Sequence, residues 1–177
     1  GRAFNGAEAF TGPIIIPPQV TSLSYTFAGT KAAGIVIPST VTSLYGTFYG
    51  ADTSALDVAL WDVSNVRTMT HLFAYSDFNG TGVEEWDTGA LTVATGAFYR
   101  TKFDANVSLW DTSKIVTMAS LFRDTPMNHS VASWNISSTM NMNRMFNRAH
   151  KYCEGWPSSW GQVGSRDVTH IYYGAAE

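Results

Sequence analysis

A phrase of the form Trp-Asp-x-Ser-x-Val-x-x-Met-x-x-Leu-Phe returns along this chain at a fixed interval, and that interval limits what the chain can fold into. It reads Trp61-Asp62-Val63-Ser64-Asn65-Val66 with Met69, Leu72 and Phe73, and again Trp110-Asp111-Thr112-Ser113-Lys114-Ile115 with Met118, Leu121 and Phe122. Trp61, Trp86, Trp110 and Trp134 stand 25, 24 and 24 residues apart, and Phe73, Phe98, Phe122 and Phe146 keep the same step. A segment of about 25 residues cannot bury an apolar face alone, so self-similarity at this period predicts a repeat solenoid in which each coil covers the next. Trp61, Trp86, Trp110 and Trp134 are expected to form one interior column, and Phe48, Phe73, Phe98, Phe122 and Phe146 a second.

The period runs nearly end to end. Ile14-Ile15-Ile16-Pro17 with Val20, Leu23 and Phe27 reads as one coil, and Ile35-Val36-Ile37-Pro38 with Val41, Leu44 and Phe48 as the next. Val41-Thr42-Ser43-Leu44 repeats Val20-Thr21-Ser22-Leu23 letter for letter. This predicts a single solenoid domain over residues 1–177 with about seven coils of 21–26 residues. Residues 14–150 make coils one to six. Residues 151–177 make a degraded last coil and cap, with Trp160 in the Trp row and Gly161 to Asp167 as the shielding stretch. Phe4-Asn5-Gly6-Ala7-Glu8 resembles Phe48-Tyr49-Gly50-Ala51-Asp52, so residues 1–13 are expected to be the tail of a truncated preceding coil, in a fragment of a longer polypeptide.

Within a coil, Val58, Leu60 and Trp61 suit a short strand, because β-branched and aromatic residues favour extended backbone. Asp62, Asp87, Asp111 and Asn135 follow each Trp, where an Asx side chain can accept a hydrogen bond from backbone two residues on and turn a corner. The second apolar segment, Val66 to Phe73, fits either a helical turn or an irregular strand. Its β-branched content favours the strand, and the fold expected is β-rich and right-handed with short parallel strands. The fourth coil breaks the pattern with Gly89, Ala94 and Ala97, so Phe98 or a neighbouring coil must fill the core there.

Charged residues are 14% of the chain, against about 25% in an average globular protein, and the net charge is −3. There is no electrostatic case for nucleic acid or an anionic membrane. No run of 18 apolar residues marks a membrane span, and no signal peptide is visible. The single cysteine, Cys153, excludes an internal disulfide framework and reads as a small apolar residue. His71 and His170 share a repeat offset with Tyr25, Gly46, Gly96, Ser120 and Arg144, a row so variable that it is expected to face solvent. No register brings a His–Ser–Asp or His–His group onto one face, and no Gly-rich phosphate loop occurs, so no enzyme activity, cofactor or metal site is expected. The Asp row reads as turn-capping rather than calcium-binding. Asn79, Asp104 and Asn128 read as a ladder satisfying backbone at a corner.

The phrase Phe-Asn, then Trp-Asp-[Val/Thr]-Ser-x-Val-x-x-Met-x-x-Leu-Phe, in residues 58–79, 107–128 and 131–147, resembles the repeat of the mycoplasma-type surface lipoprotein family. The Ile-Val-Ile-Pro-x-x-Val-Thr-Ser-Leu coils at residues 14–27 and 35–48 resemble the related BspA-like leucine-rich repeats. Together these resemblances imply a leucine-rich-repeat-like solenoid of the BspA type, in a secreted or surface-anchored, extracellular setting. They further imply adhesion or macromolecular binding as the usual role, with no catalytic residues to carry over.

Core rows repeat in residue type, whereas binding rows vary from coil to coil. Tyr49, Tyr75 and Tyr99 lie one or two residues after the recurring Phe, and Arg100, Arg123, Arg144 and Arg148 gather in the C-terminal half. Tyr and Arg are enriched at interface hot spots. The partner-binding rim is therefore expected at Tyr49, Tyr75, Tyr99, Arg100 and Arg123. Its partner would be a protein or glycan on a host or neighbouring cell surface, or another copy of the chain. The competing reading is a structural spacer, fibre or decoration domain of a cell surface or a virion.

Overall fold

The computed structural model describes Phe4, residues 14–149 and Trp160. The expected tail at residues 1–13, apart from Phe4, and the expected cap at 151–177, apart from Trp160, lie outside the described residues, as do His150, Cys153 and His170. Strand pairing is sparse. Strand β1 (Ile14–Ile15) pairs in parallel with β3 (Ile35–Val36), and β2 (Lys31–Ala33) with β4 (Asp52–Ala55). Beyond these, single-residue parallel bridges run Ser22 to Ser43 to Thr68 to Val93 to Thr117 to Asn141, one per repeat.

After each bridge the backbone takes a turn in which alternate amides point in different directions. The N–H groups of Met69, His71, Phe73 and Tyr75 donate to the carbonyls of Val93, Thr95, Ala97 and Tyr99 in the next repeat at 2.8–2.9 Å. Between them, Leu72, Ala74 and Ser76 donate back to the carbonyls of Met69, His71 and Phe73 within their own repeat. Leu44 to Ala51 and Phe98 with Arg100 follow the same scheme, so the amides of these buried turns are satisfied without a strand or a helix. The segment Val66 to Phe73, expected as an irregular strand, is thus one bridge residue followed by this turn.

The apolar run before each Trp is also a turn rather than a strand. Trp61 N–H donates to the Val58 carbonyl at 3.1 Å, and Asp57 Oδ1 accepts the Ala59 amide at 3.0 Å. Leu60, expected in a short strand, and its counterpart Leu109 consequently project outward and are 80% and 77% exposed. Val58, Val107 and the Trp side chains remain buried.

One continuous apolar core extends from Leu23 to Trp160. Its centre is two aromatic columns. Trp61, Trp86, Trp110 and Trp134 stack at centroid separations of 5.8, 6.2 and 6.4 Å with ring planes within 13°. Phe27, Phe48, Phe73, Phe98, Phe122 and Phe146 stack beside them at 5.4 to 6.2 Å. Phe4 continues this column below Phe27 at 5.5 Å. Each indole also ties two repeats together: Nε1 of Trp61, Trp86, Trp110 and Trp134 donates to the carbonyls of Ile35, Val58, Val83 and Val107 at 2.7, 3.1, 2.9 and 2.9 Å. A buried Trp needs such a partner for its N–H. Where Ala94 and Ala97 thin the fourth repeat, the fully buried Phe103 packs against Phe98 at 4.1 Å. Phe78 does the same against Phe73 at 3.9 Å.

Candidate functional site

Backbone handedness positions the surface residues. Among the described residues, the eight non-glycine residues with positive φ fall at two offsets, two residues before and two after the recurring Phe. The first row is Tyr25, Gly46, His71, Gly96, Ser120 and Arg144, with φ between 53° and 58°. The second is Gly29, Gly50, Tyr75, Arg100, Asp124 and Arg148, with φ between 55° and 67°. The alternation of amide directions in the turn requires this left-handed geometry twice per repeat. It costs a residue with a Cβ roughly 1–2 kcal/mol and costs glycine nothing comparable.

The first row corrects the expectation that it faces solvent. Gly46 and Gly96 are buried, Tyr25, His71 and Ser120 are half-buried, and only Arg144 is exposed. Large and absent side chains alternate there. A Cβ on Gly46 would lie 2.5 Å from the Tyr25 ring, and one on Gly96 would lie 2.6 Å from His71 Nδ1. Tyr25 and His71 thus lie flat across the glycine of the next repeat. His71 Nδ1 is buried without a hydrogen-bond partner.

The second row, with the residues just before it, brings all five sequence-predicted rim residues into one strip. The Tyr49 and Tyr75 rings are 5.1 Å apart and tilted by 49°, and Tyr75 meets Tyr99 edge-on at 5.0 Å. Tyr49 and Tyr99 stand one residue after their Phe and Tyr75 stands two after, so the rings zigzag, with the small Ala74 leaving room between them. The Arg100 guanidinium lies over Tyr75 and Tyr99 at 5.5 and 5.6 Å, and that of Arg123 over Tyr99 at 5.0 Å. Each such contact contributes about 0.5–1 kcal/mol at an exposed site. Burial, and after it the neighbouring Tyr75, hold the Tyr49 and Tyr99 phenols above their ordinary pKa, so both remain protonated donors.

The structure adds residues that sequence reasoning left out. Tyr25 extends the strip against Tyr45 and Tyr49 at 5.2 and 6.3 Å, and His71 meets both Tyr45 and Tyr49 at 6.4 Å. Asp124 gathers three guanidinium groups, Arg123 at 3.5 Å, Arg100 at 3.6 Å and Arg148 at 3.2 Å. The readable signal was Gly29 and Gly50, which mark the left-handed offset that Tyr75, Arg100, Asp124 and Arg148 then occupy.

The Asx rows close turns. Asp62, Asp87, Asp111 and Asn135 accept the amides of Ser64, Gly89, Ser113 and Ser137 at 2.9–3.1 Å. Asp104 spans repeats by accepting the Asn128 amide at 3.0 Å, whereas Asn79 closes its own turn onto Thr81. The expected ladder satisfying backbone at the corner is thus present between Asp104 and Asn128 but not at Asn79, and Asn79 and Asn128 are exposed. A polar groove of about 380 Å³ lies among Thr53, Asp57, Asp77 and Asn79, where Asp77 already accepts both the amide and the hydroxyl of Thr53. Among the described residues no group of three or more His, Cys, Asp or Glu could hold a metal ion, and no helix is long and apolar enough to cross a membrane.

The sequence profile of the family described as Mycoplasma protein of unknown function, DUF285, matches residues 2–80 and 74–177. The chain belongs to this family. The DUF285 profile matches twice, in two halves that overlap at residues 74–80, in keeping with the internal repeat. No curated protein and no solved structure matches the chain.

Proposed function

We propose that this DUF285 chain is a leucine-rich-repeat-like solenoid of the BspA type, right-handed and of about seven coils, that acts as a non-enzymatic binding module at a cell surface. Its partner lies along the strip of Tyr49, Tyr75, Tyr99, Arg100 and Arg123. One observation carries the reading. Tyr75, Arg100, Asp124 and Arg148 occupy a left-handed offset where Gly29 and Gly50 show that glycine meets the structural need. Large side chains held in sparsely populated backbone conformations point to a functional reason for keeping them. Tyr75, Arg100 and Arg148 among them are of the types that dominate interface energetics, and the row runs along successive repeats, which suits an extended partner.

The test uses peptide and glycan libraries selected on the intact chain, with the Tyr75→Ser/Tyr99→Ser double variant as control. The variant gives up the contacts of both rings to Arg100 and Arg123, so the thermal midpoint should fall by several degrees while unfolding stays cooperative. Selected ligands should lose at least about tenfold in affinity, which is about 1.4 kcal/mol. If every ligand recovered binds the variant equally well, the strip is solvated surface and the spacer or fibre reading replaces this one.

A further inference from the structure

The strip has two chemically different ends, and we infer that its occupant is an extended acidic polypeptide segment, with uncharged residues over one end and carboxylates over the other. This rests on the binding reading above and adds the partner's chemistry. Tyr25, Tyr45, Tyr49 and Tyr75 make the first end aromatic and uncharged. Arg100, Arg123 and Arg148 make the second end cationic. They share the Asp124 carboxylate, three charges against one, on a chain whose overall formal charge is −3. The local excess is therefore opposite in sign to the rest of the molecule, the arrangement that orients an acidic partner. The Nε atoms of Arg100 and Arg123 lie 3.6 and 3.5 Å from Asp124 Oδ2, outside hydrogen-bond geometry, and Nε of Arg123 is buried without a hydrogen-bond partner. Asp124 therefore leaves these planar forks unsatisfied, and they suit a second carboxylate.

Length and ring geometry favour a peptide over a saccharide. From the repeat of Tyr49 to that of Arg148 is four repeat steps, about 19 Å at the parallel spacing of ~4.8 Å, which matches about six extended residues. A saccharide would stack on open ring faces. Tyr75 and Tyr99 instead pack edge-on to one another at 74° and carry guanidinium groups over their rings. Hydroxyl groups and guanidinium rims remain, and these match carboxylates and peptide carbonyls.

The test is fluorescence anisotropy with the full chain at low salt. One labelled hexapeptide carries Leu-Tyr followed by four Glu, and its control has Gln for each Glu. The acidic peptide should bind at least about tenfold more tightly. Arg100→Gln/Arg148→Gln should remove that preference while the protein still unfolds cooperatively, its thermal midpoint lowered by the lost contacts to Tyr75, Tyr99 and Asp124, and Tyr75→Ser/Tyr99→Ser should weaken both peptides. Equal affinity for the two peptides, or tighter binding of hexagalacturonate than of the acidic peptide, overturns the acidic-peptide assignment. If in that case the Tyr variants still lose binding, the interaction reading stands. If no probe, neutral or charged, depends on the Tyr residues, both fall together.

Discussion

At a single residue, the sign of φ decides what a substitution does, and the two left-handed rows predict opposite outcomes for superficially similar changes. Gly96 has φ 58° and lies under His71, so Gly96→Ala meets both the left-handed cost and a ring that must move. Urea unfolding should show a loss of about 1–2 kcal/mol. Tyr75→Gly relieves the same strain, but it raises the entropy of the unfolded chain by about 0.4–1 kcal/mol and gives up the contacts to Tyr49 and Tyr99. These effects nearly cancel, and stability should change by less than about 1 kcal/mol while ligand binding falls. A loss above about 2 kcal/mol for Tyr75→Gly would show that Tyr75 holds the fold rather than the partner. That Tyr49, Tyr75, Tyr99, Arg100 and Arg123 share one strip was legible in the sequence because the recurring Phe marks the register. The burial of Gly46 and Gly96 was not, because a row of Tyr, Gly, His, Gly, Ser and Arg looks variable. Its unity lies in backbone handedness and in the fit of one side chain over the next repeat's missing one, which residue type does not display.

At the scale of the repeat, the Trp corner joins a stack, a hydrogen bond and a turn. Trp110 is buried between Trp86 and Trp134, and its Nε1 donates to the Val83 carbonyl. Trp110→Ala should cost about 3–5 kcal/mol through the cavity. Trp110→Phe keeps an aromatic in the column and removes only the indole hydrogen bond, since the Val83 carbonyl still accepts the Trp86 amide at 3.2 Å, and should cost about 0.5–1.5 kcal/mol. Both variants lose the indole hydrogen bond, so equal losses would mean that the ring left by Phe contributes nothing to the column. Next in the chain, Asp111 accepts the Ser113 hydroxyl and amide, and these bonds hold its carboxyl below the ordinary carboxylate pKa. A depressed folded-state pKa stabilises above the unfolded value and is lost as pH falls through the folded one. NMR titration should therefore place the Asp111 transition below that of an unperturbed aspartate, and Ser113→Ala should move it back up. The column, the core and the Asx turn were readable from spacing alone. The strand assignment failed because β-branched residues report a preference for extended, half-buried backbone, whereas here the amide directions alternate and only one residue per repeat bridges.

At the scale of the whole molecule, the contacts are made between neighbours in the repeat order. Phe73 stacks on Phe48 and Phe98, and Trp86 on Trp61 and Trp110. The amide ladder likewise runs from each repeat to the next. If the chain is a solenoid, its stability is a sum of repeat terms and nearest-neighbour terms, and a whole period can leave without altering the register of the rest. Deleting residues 87–110, 24 in all, joins Trp86 to Asp111 and restores the phrase Trp-Asp-Thr-Ser at the junction. The remaining Trp and Phe rows then meet partners of the same kind, and the shortened protein should still unfold cooperatively with a near-parent near-UV circular dichroism spectrum per Trp. Deleting residues 87–98, only 12, removes no Trp but brings Trp110 to the Phe offset of the repeat that Trp86 opens, so Trp and Phe rows are mismatched where the two halves meet. That variant should lose its near-UV signal and cooperative transition. The comparison separates periodicity from size, because the smaller deletion is expected to do the greater damage. If the 24-residue deletion unfolds the protein as thoroughly as the 12-residue one, the repeats do not act as interchangeable units and the solenoid reading fails.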